Sequence, residues 1–320
     1  MKRIGLIDLD YNGSFPNLPL MKLSAYHKAH GDAVEWYNGF EHYDIVYVAK
    51  VFSWTQDYQY PINADKVVKG GSGYHIRLTD GKEEWTENDQ CRLWLPMEIE
   101  HIYPDYSLYP SLTKDTAYGF LTRGCPRGCG FCHVAKKEGY QSRKVADLSE
   151  FWRGQKNIVL CDPNILACKE WRELLQQLID SKATLDINQG IDIRMMTNEK
   201  ADMLCRCKID QIHFAWDRYE DGPLIIPRLR MFRQTWEKYR KWNEHGKIVY
   251  TLVNFDTTKE QDLERIYTLR DLGYLAYVMV YDKANQHDQF YKDLQRWVNN
   301  RIIFAKCARF EDYNPTSSIH

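Results

Sequence analysis

No stretch of this sequence reaches the roughly 18 consecutive apolar residues of a membrane span. The N-terminus, MKRIGLIDLD, also lacks the apolar core of a signal peptide. These two absences point away from a membrane partner and toward a cytoplasmic location. An excess of charge is lacking as well: 43 Lys and Arg stand against 44 Asp and Glu, a net charge of −1. A general attraction to nucleic acid or acidic lipid is therefore not expected, which leaves local basic patches to consider. There is no fixed-period repeat and no low-complexity tract. What is present is ordinary globular material. The 320 residues are 44% hydrophobic and 27% charged, enough for one large or two ordinary domains with their own cores.

The first ~110 residues read as an open α/β unit. Ile4–Asp8, Val34–Tyr37 and Asp44–Val48 are strand-like, and Pro19–His30 reads as a helix stopped by Gly31. The glycine cluster KGGSGY holds Gly70, Gly71 and Gly73, and the proline-bearing stretch LPMEIEHIYPDYSLYPS reads as a linker. From residue 116 strands and helices alternate. The strand candidates are Ala117–Leu121, Asn157–Leu160, Thr184–Ile187, Gln211–Ala215, Ile248–Val253 and Leu275–Val280. Trp171, Leu174, Leu175, Leu178 and Ile179 make one apolar helical face. Thr257 with Glu260 predicts a capping box, with Leu263, Ile266 and Tyr267 on one face and Gly273 at the end. Strands each followed by a helix imply a parallel sheet with right-handed crossovers, whose chemistry sits at the strands' C-terminal ends.

Cysteine is not scarce: there are nine. In a reducing compartment a disulfide framework is not expected, and a clustered subset reads as ligands. Residues 120–133, FLTRGCPRGCGFCH, hold Cys125, Cys129 and Cys132 at spacing C-x3-C-x2-C, with Gly124, Pro126, Gly128 and Gly130 among them. The triplet follows the first strand of the alternating series, at the end where sites form. An iron–sulfur cube usually takes four thiolates, so three leave one iron open. Zinc is the chemical rival, with His133 completing a Cys3His set, although adjacent residues rarely both reach one tetrahedral ion. Reduced, purely structural cysteines are the third reading.

C-x3-C-x2-C with Phe131 before its last cysteine, on the first of six βα units, resembles the radical SAM superfamily over roughly residues 115–285. The N-terminal unit is similar to the cobalamin-binding-type, Rossmann-like domain that precedes the barrel in one branch. The resemblance implies an α/β chain divided into a Rossmann-like open sheet (1–112), a partial (β/α)6 barrel (113–284) and a C-terminal helical extension (285–320). It implies a [4Fe-4S] cluster on Cys125, Cys129 and Cys132, whose open iron chelates S-adenosylmethionine. Reductive cleavage then gives a 5′-deoxyadenosyl radical that takes hydrogen from a substrate. Electrons would come from a partner such as a flavodoxin or ferredoxin, and Phe131 would pack near the adenine.

The remaining strand ends offer polar candidates for the cofactor: Asp162 and Asn164 in CDPN, Gln189, Asp192 and Arg194 in NQGIDIR, Asp217 in WDR, and Asn254 in VNF. Asn188, Asp256, Asp282 and Lys283 accompany them. Each also reads as a helix cap or a solvated loop residue, and Arg194 also as a partner for Asp192. Gly190 suggests close approach of a ligand. The family's Gly-Gly-Glu-like segment and fifth-strand glycine motif are absent here. Asp8-Leu9-Asp10-Tyr11-Asn12-Gly13 lacks the histidine through which many relatives hold cobalamin, which favours a retained scaffold over a cobalamin site. KGGSGY resembles the later turn that accepts a nucleotide-like tail.

Two basic runs bear on substrate. One is Arg123, Arg127, Lys136, Lys137, Arg143 and Lys144 around the cysteine loop. The other is Arg228 to Lys241, interleaved with Trp236, Tyr239 and Trp242. They suggest an anionic or nucleotide-like substrate. The competing reading makes Leu229, Phe232, Trp236 and Tyr239 core and the charges a solvated face. Cys91, Cys161, Cys168, Cys205, Cys207 and Cys307 read as ordinary thiols. The function expected is radical hydrogen abstraction from an unidentified substrate. Its alternatives are a cobalamin-dependent methyltransferase of the same superfamily and a non-catalytic iron–sulfur or zinc protein.

Overall fold

The computed structural model describes residues 1–79, 82–281 and 288–315. The chain forms two compact units, Met1–Gly119 with Ala146–Lys156, and Phe120–Val145 with Asn157–His320.

In the first unit, β1 (Arg3–Asp8), β2 (Ala33–Trp36), β3 (Tyr43–Ala49) and β4 (Ala64–Gly70) form a parallel sheet in the order β2-β1-β3-β4. Side-chain alternation along β1 splits the core in two. Ile4 and Leu6 pack with Leu20 and Leu23 of α1 (Leu18–Ala29), while Ile7 meets Tyr43, Val46 and Val48. The Asn17 side chain caps α1 by accepting the Leu20 N–H at 3.2 Å, and Gly31 follows the helix at φ +79°. A hairpin of β5 (Ile76–Thr79) and β6 (Lys82–Trp85) follows. The stretch expected as a linker is instead built into this unit, with α2 (Met97–Glu100) and α3 (Pro110–Thr113) before β7 (Thr116–Gly119). Three anchors explain the difference: Ile99 enters the core, Asp105 binds Ser24 and Lys28, and the Tyr109 hydroxyl donates to Asp8 at 2.6 Å.

The second unit begins with β8 (Thr122–Arg123), α4 (Val134–Glu138) and β9 (Arg143–Lys144). There follow β10 (Asn157–Leu160), α5 (Trp171–Ser181), β11 (Thr184–Ile191), α6 (Asn198–Arg206), β12 (Lys208–Ala215), α7 (Gly222–Tyr239), β13 (Lys247–Val253), α8 (Lys259–Asp271), β14 (Leu275–Val280), α9 (Gln289–Asn299) and α10 (Arg301–Lys306). Strands β10 to β14 are parallel and lie side by side in chain order. The order never reverses, so the winding is that of a barrel wall and not of a doubly wound sheet. Every strand of the expected α/β series is present. Leu185, Ile187, Ile212, Phe214, Val249 and Val278 are fully buried on one face. Phe214 meets Phe232 of α7 edge-on, with centroids 5.0 Å apart.

Two local expectations shift. The capping box is Thr258 with Gln261, one residue later than the predicted pair. Both registers satisfy the motif, and the later one lets α8 bury Asp262, Arg265, Ile266 and Leu269. On α7, Leu229, Phe232 and Trp236 are core, but Tyr239 is 45% exposed and its hydroxyl donates to Asp202. Among the described residues, no helix is long and apolar enough to cross a membrane.

Candidate active site

The cysteine loop is held at its neck. Thr122 and Arg123 of β8 pair with Lys144 and Arg143 of β9. The Gly124 N–H donates to the Glu138 carboxylate at 3.0 Å, Arg123 pairs with the same carboxylate at 3.1 Å, and the Cys125 N–H donates to Gly139 O at 3.1 Å. Gly124 sits at φ +86°, where an added Cβ would collide with Gln141 O, so only glycine closes this neck.

Inside the loop the Cys132 N–H donates to Cys129 O at 3.0 Å. Cys125, Cys129 and Cys132 are reduced and partly buried. Burial pushes the Cys129 and Cys132 thiols upward, Arg194 opposes this at Cys129, and each of the two also feels the charge of its neighbours in the triplet. Two partly buried thiols that resist ionisation call for a positive partner, which the irons of a cluster would supply. The Asn164 amide lies 3.5 Å from Cys125 Sγ, while its buried Oδ1 has no hydrogen-bond partner. Among the described residues, no three His, Cys, Asp or Glu side chains converge on a single-ion site. A cube bonds each thiolate to a different iron and does not require that convergence. The donor set therefore fits a cluster.

Asp162, just past β10, is fully buried. Its oxygens accept the Leu121 N–H at 2.8 Å, the Thr122 N–H at 2.6 Å and the Thr122 hydroxyl at 2.5 Å. Burial pushes its carboxyl up to about 7 against these bonds. Its oxygens are thus spent on positioning the strand that leads into the cysteine loop. Asp162→Asn keeps the shape but turns an amide donor toward one of those N–H groups. We expect it to lower stability by about 2–3 kcal/mol, read by urea unfolding, because a buried donor is left unpaired.

At the end of β11, Asp192 joins two arginines, Arg194 at 2.8 Å and, from the cysteine loop, Arg127 at 2.5 Å. Arg194 also reaches Asp221 at 2.7 Å. The ion pair between Arg194 and Asp192 is therefore present, and Asp221 is a partner that sequence reasoning missed. Asp192 stays low despite burial, held by Arg194 first and Arg127 second. Asp217, past β12, is half-buried, and desolvation pushes its carboxyl up to about 6, with Arg194 and Arg265 opposing. A raised carboxyl favours the folded state on the acid side and loses that contribution as pH rises through about 6. Asp217→Asn should therefore flatten the fall in unfolding free energy over that window, which a pH series of urea melts checks.

Gln189 is exposed, and Gly190 lies at φ +95° within a register shift between β11 and β12. An added Cβ there would meet only ordinary contacts, so the turn itself explains the glycine. Asn254 and Asp256 also adopt positive φ, 62° and 50°, and the Asn254 N–H donates to Asp262 at 3.2 Å. Phe131 meets Phe255 edge-on, with centroids 5.1 Å apart, and Phe255 meets Tyr281 at 4.6 Å. This aromatic wall was not foreseen, although Phe255 stood in the noted VNF. Asn188 accepts the Tyr250 hydroxyl through its carbonyl. Asp282 and Lys283 lie outside the described residues.

The basic candidates of the loop are largely engaged within the chain. Arg127 holds Asp192, Lys137 lies 3.8 Å from Glu138, Arg143 binds Glu138 O, and Lys144 reaches Glu173 at 2.7 Å. On α7, Arg228 binds Met196 O and Arg233 binds Glu237 and Leu272 O, and just past the helix Arg240 binds the carbonyls of Cys205 and Cys207. Cys161, Cys168, Cys205 and Cys207 are buried.

In the first unit, Gly71 and Gly73 of KGGSGY pack directly on the segment from Lys50 to Phe52. The Gly73 N–H donates to Lys50 O at 3.0 Å, and a Cβ on either glycine would strike this segment. Asp10 accepts the Val51 N–H and the Thr55 hydroxyl.

The fold is similar to that of two solved structures of the radical S-adenosylmethionine methyltransferase TsrM from Kitasatospora setae. One, with cobalamin and a [4Fe-4S] cluster bound, has a TM-score of 0.59 and 11% identity, over 87% of this chain and 72% of that one. The other, with tryptophan substrate and the SAM analogue aza-SAM bound, has a TM-score of 0.62 and 11% identity, over 88% and 73%. At this identity the likeness is one of fold. No protein-family model matches the sequence, and neither does any curated protein.

Proposed function

We propose that this chain is a radical SAM enzyme whose Cys125, Cys129 and Cys132 hold a [4Fe-4S] cluster. One observation carries the reading. Three thiols within each other's electrostatic reach lie on one loop of a singly wound parallel sheet, beside Asn164, Asp192, Arg194 and Asp217 from three successive strand ends. When bound, the cluster and S-adenosylmethionine supply a one-electron cleavage that yields a 5′-deoxyadenosyl radical for hydrogen abstraction. The chain's own contribution is positional. The Asn164 amide donates toward Cys125 Sγ and spreads its charge. Arg194, fixed between Asp192 and Asp221, offers a guanidinium for a carboxylate, and Asp217 offers an acceptor for an ammonium group. Phe131 and Phe255 offer an apolar wall for a purine ring. A flavodoxin- or ferredoxin-class protein is the reductant this reading requires.

A second reading, a cobalamin-dependent methyltransferase of the same superfamily, is supported by the likeness to a cobalamin-bound structure over 87% of the chain. Against it stand Asp10, at the place of the missing histidine and already bonded to Val51 and Thr55, and the glycine turn filled by its own chain. A corrinoid absorption spectrum after reconstitution separates the two.

The test is anaerobic purification, reconstitution with iron and sulfide, reduction, and assay of 5′-deoxyadenosine formed from S-adenosylmethionine. Zinc in place of iron, or a loaded cluster that neither binds nor cleaves S-adenosylmethionine, would instead make the chain a non-catalytic metal protein.

A further inference from the structure

A second polar group lies in the same unit, on the sheet face turned away from the helices. Phe214 packs on α7, so its neighbour His213 on β12 points the other way. Asp186 on β11 and Tyr250 on β13 join it there, while Leu185 and Ile187 beside Asp186 are buried on the helix side. The His213 ring lies flat against the Tyr250 ring, with centroids 5.0 Å apart and planes 6° from parallel. His213 Nδ1 is 2.9 Å from Ile187 O. A carbonyl only accepts, so Nδ1 carries the proton, and in the neutral ring Nε2 is an acceptor. The Tyr250 hydroxyl donates its one proton to Asn188 O at 3.2 Å. Asp186 Oδ1 is buried without a hydrogen-bond partner, although the residue as a whole is only partly buried.

These three side chains share one face, lie within electrostatic reach of one another, and each carries an acceptor, one of them an orphaned carboxylate oxygen. Buried acceptors of this kind are normally matched by a donor. Tyr277, exposed and edge-on to Tyr250 at 5.9 Å, adds aromatic surface that favours a cation. We propose that this face is a subsite for a cationic nitrogen group of the substrate, an amidinium, guanidinium or protonated amine, whose N–H groups Asp186 and His213 accept. As a substrate subsite it rests on the radical reading above. As a cation site it needs neither cluster nor cofactor.

The test uses the full chain as purified, with benzamidine as probe and benzamide as its uncharged counterpart of the same shape. Binding is followed by the ring resonances of the histidines. We expect saturable benzamidine binding that moves the His213 signals, with benzamide at least about tenfold weaker. Asp186→Asn should weaken benzamidine by at least about tenfold, while Asp180→Asn, at an exposed position on α5, leaves it unchanged. Equal affinity for the two probes, no saturable binding, or full affinity in Asp186→Asn overturns the proposal. The wild-type comparison decides even where Asp186→Asn does not fold. Because no cluster is involved, failure here leaves the radical reading intact, and failure of S-adenosylmethionine cleavage leaves this site intact.

Discussion

Replacing any one of Cys125, Cys129 and Cys132 by alanine should bring 5′-deoxyadenosine formation to background, a loss of at least about 100-fold. Loss of an outer contact alone costs a metal site about 10–100-fold, and a direct ligand costs more. Each thiolate would hold its own iron, so none can stand in for another. The loss should come without unfolding, because the neck of the loop is fastened by Gly124, Glu138 and the β8–β9 pair and not by the thiols. Circular dichroism should be unchanged while iron content falls. Cys307→Ala is the control, since Cys307 lies far along the chain beside Arg309 O. Wild-type iron and wild-type product in a triplet variant would remove that cysteine from the site.

Arg265→Ala should lower the unfolding free energy by about 3–5 kcal/mol, the range for breaking a buried charge pair. Arg265 and Asp262 are both 0% exposed and meet at 2.5 Å. The same guanidinium donates to Trp216 O at 2.6 Å, Asp217 O at 2.9 Å and Leu252 O at 2.7 Å. Its removal takes this donor from three carbonyls and from Asp262 Oδ1, leaving the carboxylate only its other bonds, such as that from the Asn254 N–H. Arg265→Lys should recover little, because an ammonium cannot span donors aimed along a planar fork. Urea unfolding of the three proteins measures this directly. A change below about 1 kcal/mol in Arg265→Ala would mean that these bonds are not maintained in solution.

The parallel sheet and the cysteine loop were legible in the sequence because their signals are local. β-Branched runs alternate with helical faces, and three thiols share eight residues. Asp192 and Arg194 were legible as a pair for the same reason. Arg265 was invisible, since a charged residue on a helix reads as solvent-facing until two strand ends are known to lie against it. Asp162 and Asp221 were mis-weighted or missed because their partners, Thr122 and Arg194, are distant in sequence. The capping register of α8 escaped because adjacent threonines each satisfy the same motif. Short helices between residues 96 and 114 were hidden by prolines that sit at helix starts, where proline does no harm.

The closed neck of the cysteine loop also bears on how the protein matures. Small metal-dependent domains are unstructured until the ion arrives, and binding is then folding. Here the neck of the loop between Thr122 and Lys144 is tied by its own ladder and by Glu138. Were the proposed cluster to bind here, little backbone entropy would remain to be lost as iron entered. Folding and loading would then be separable, and a chain stripped of iron should refill without refolding, which circular dichroism across a chelation and reconstitution cycle checks.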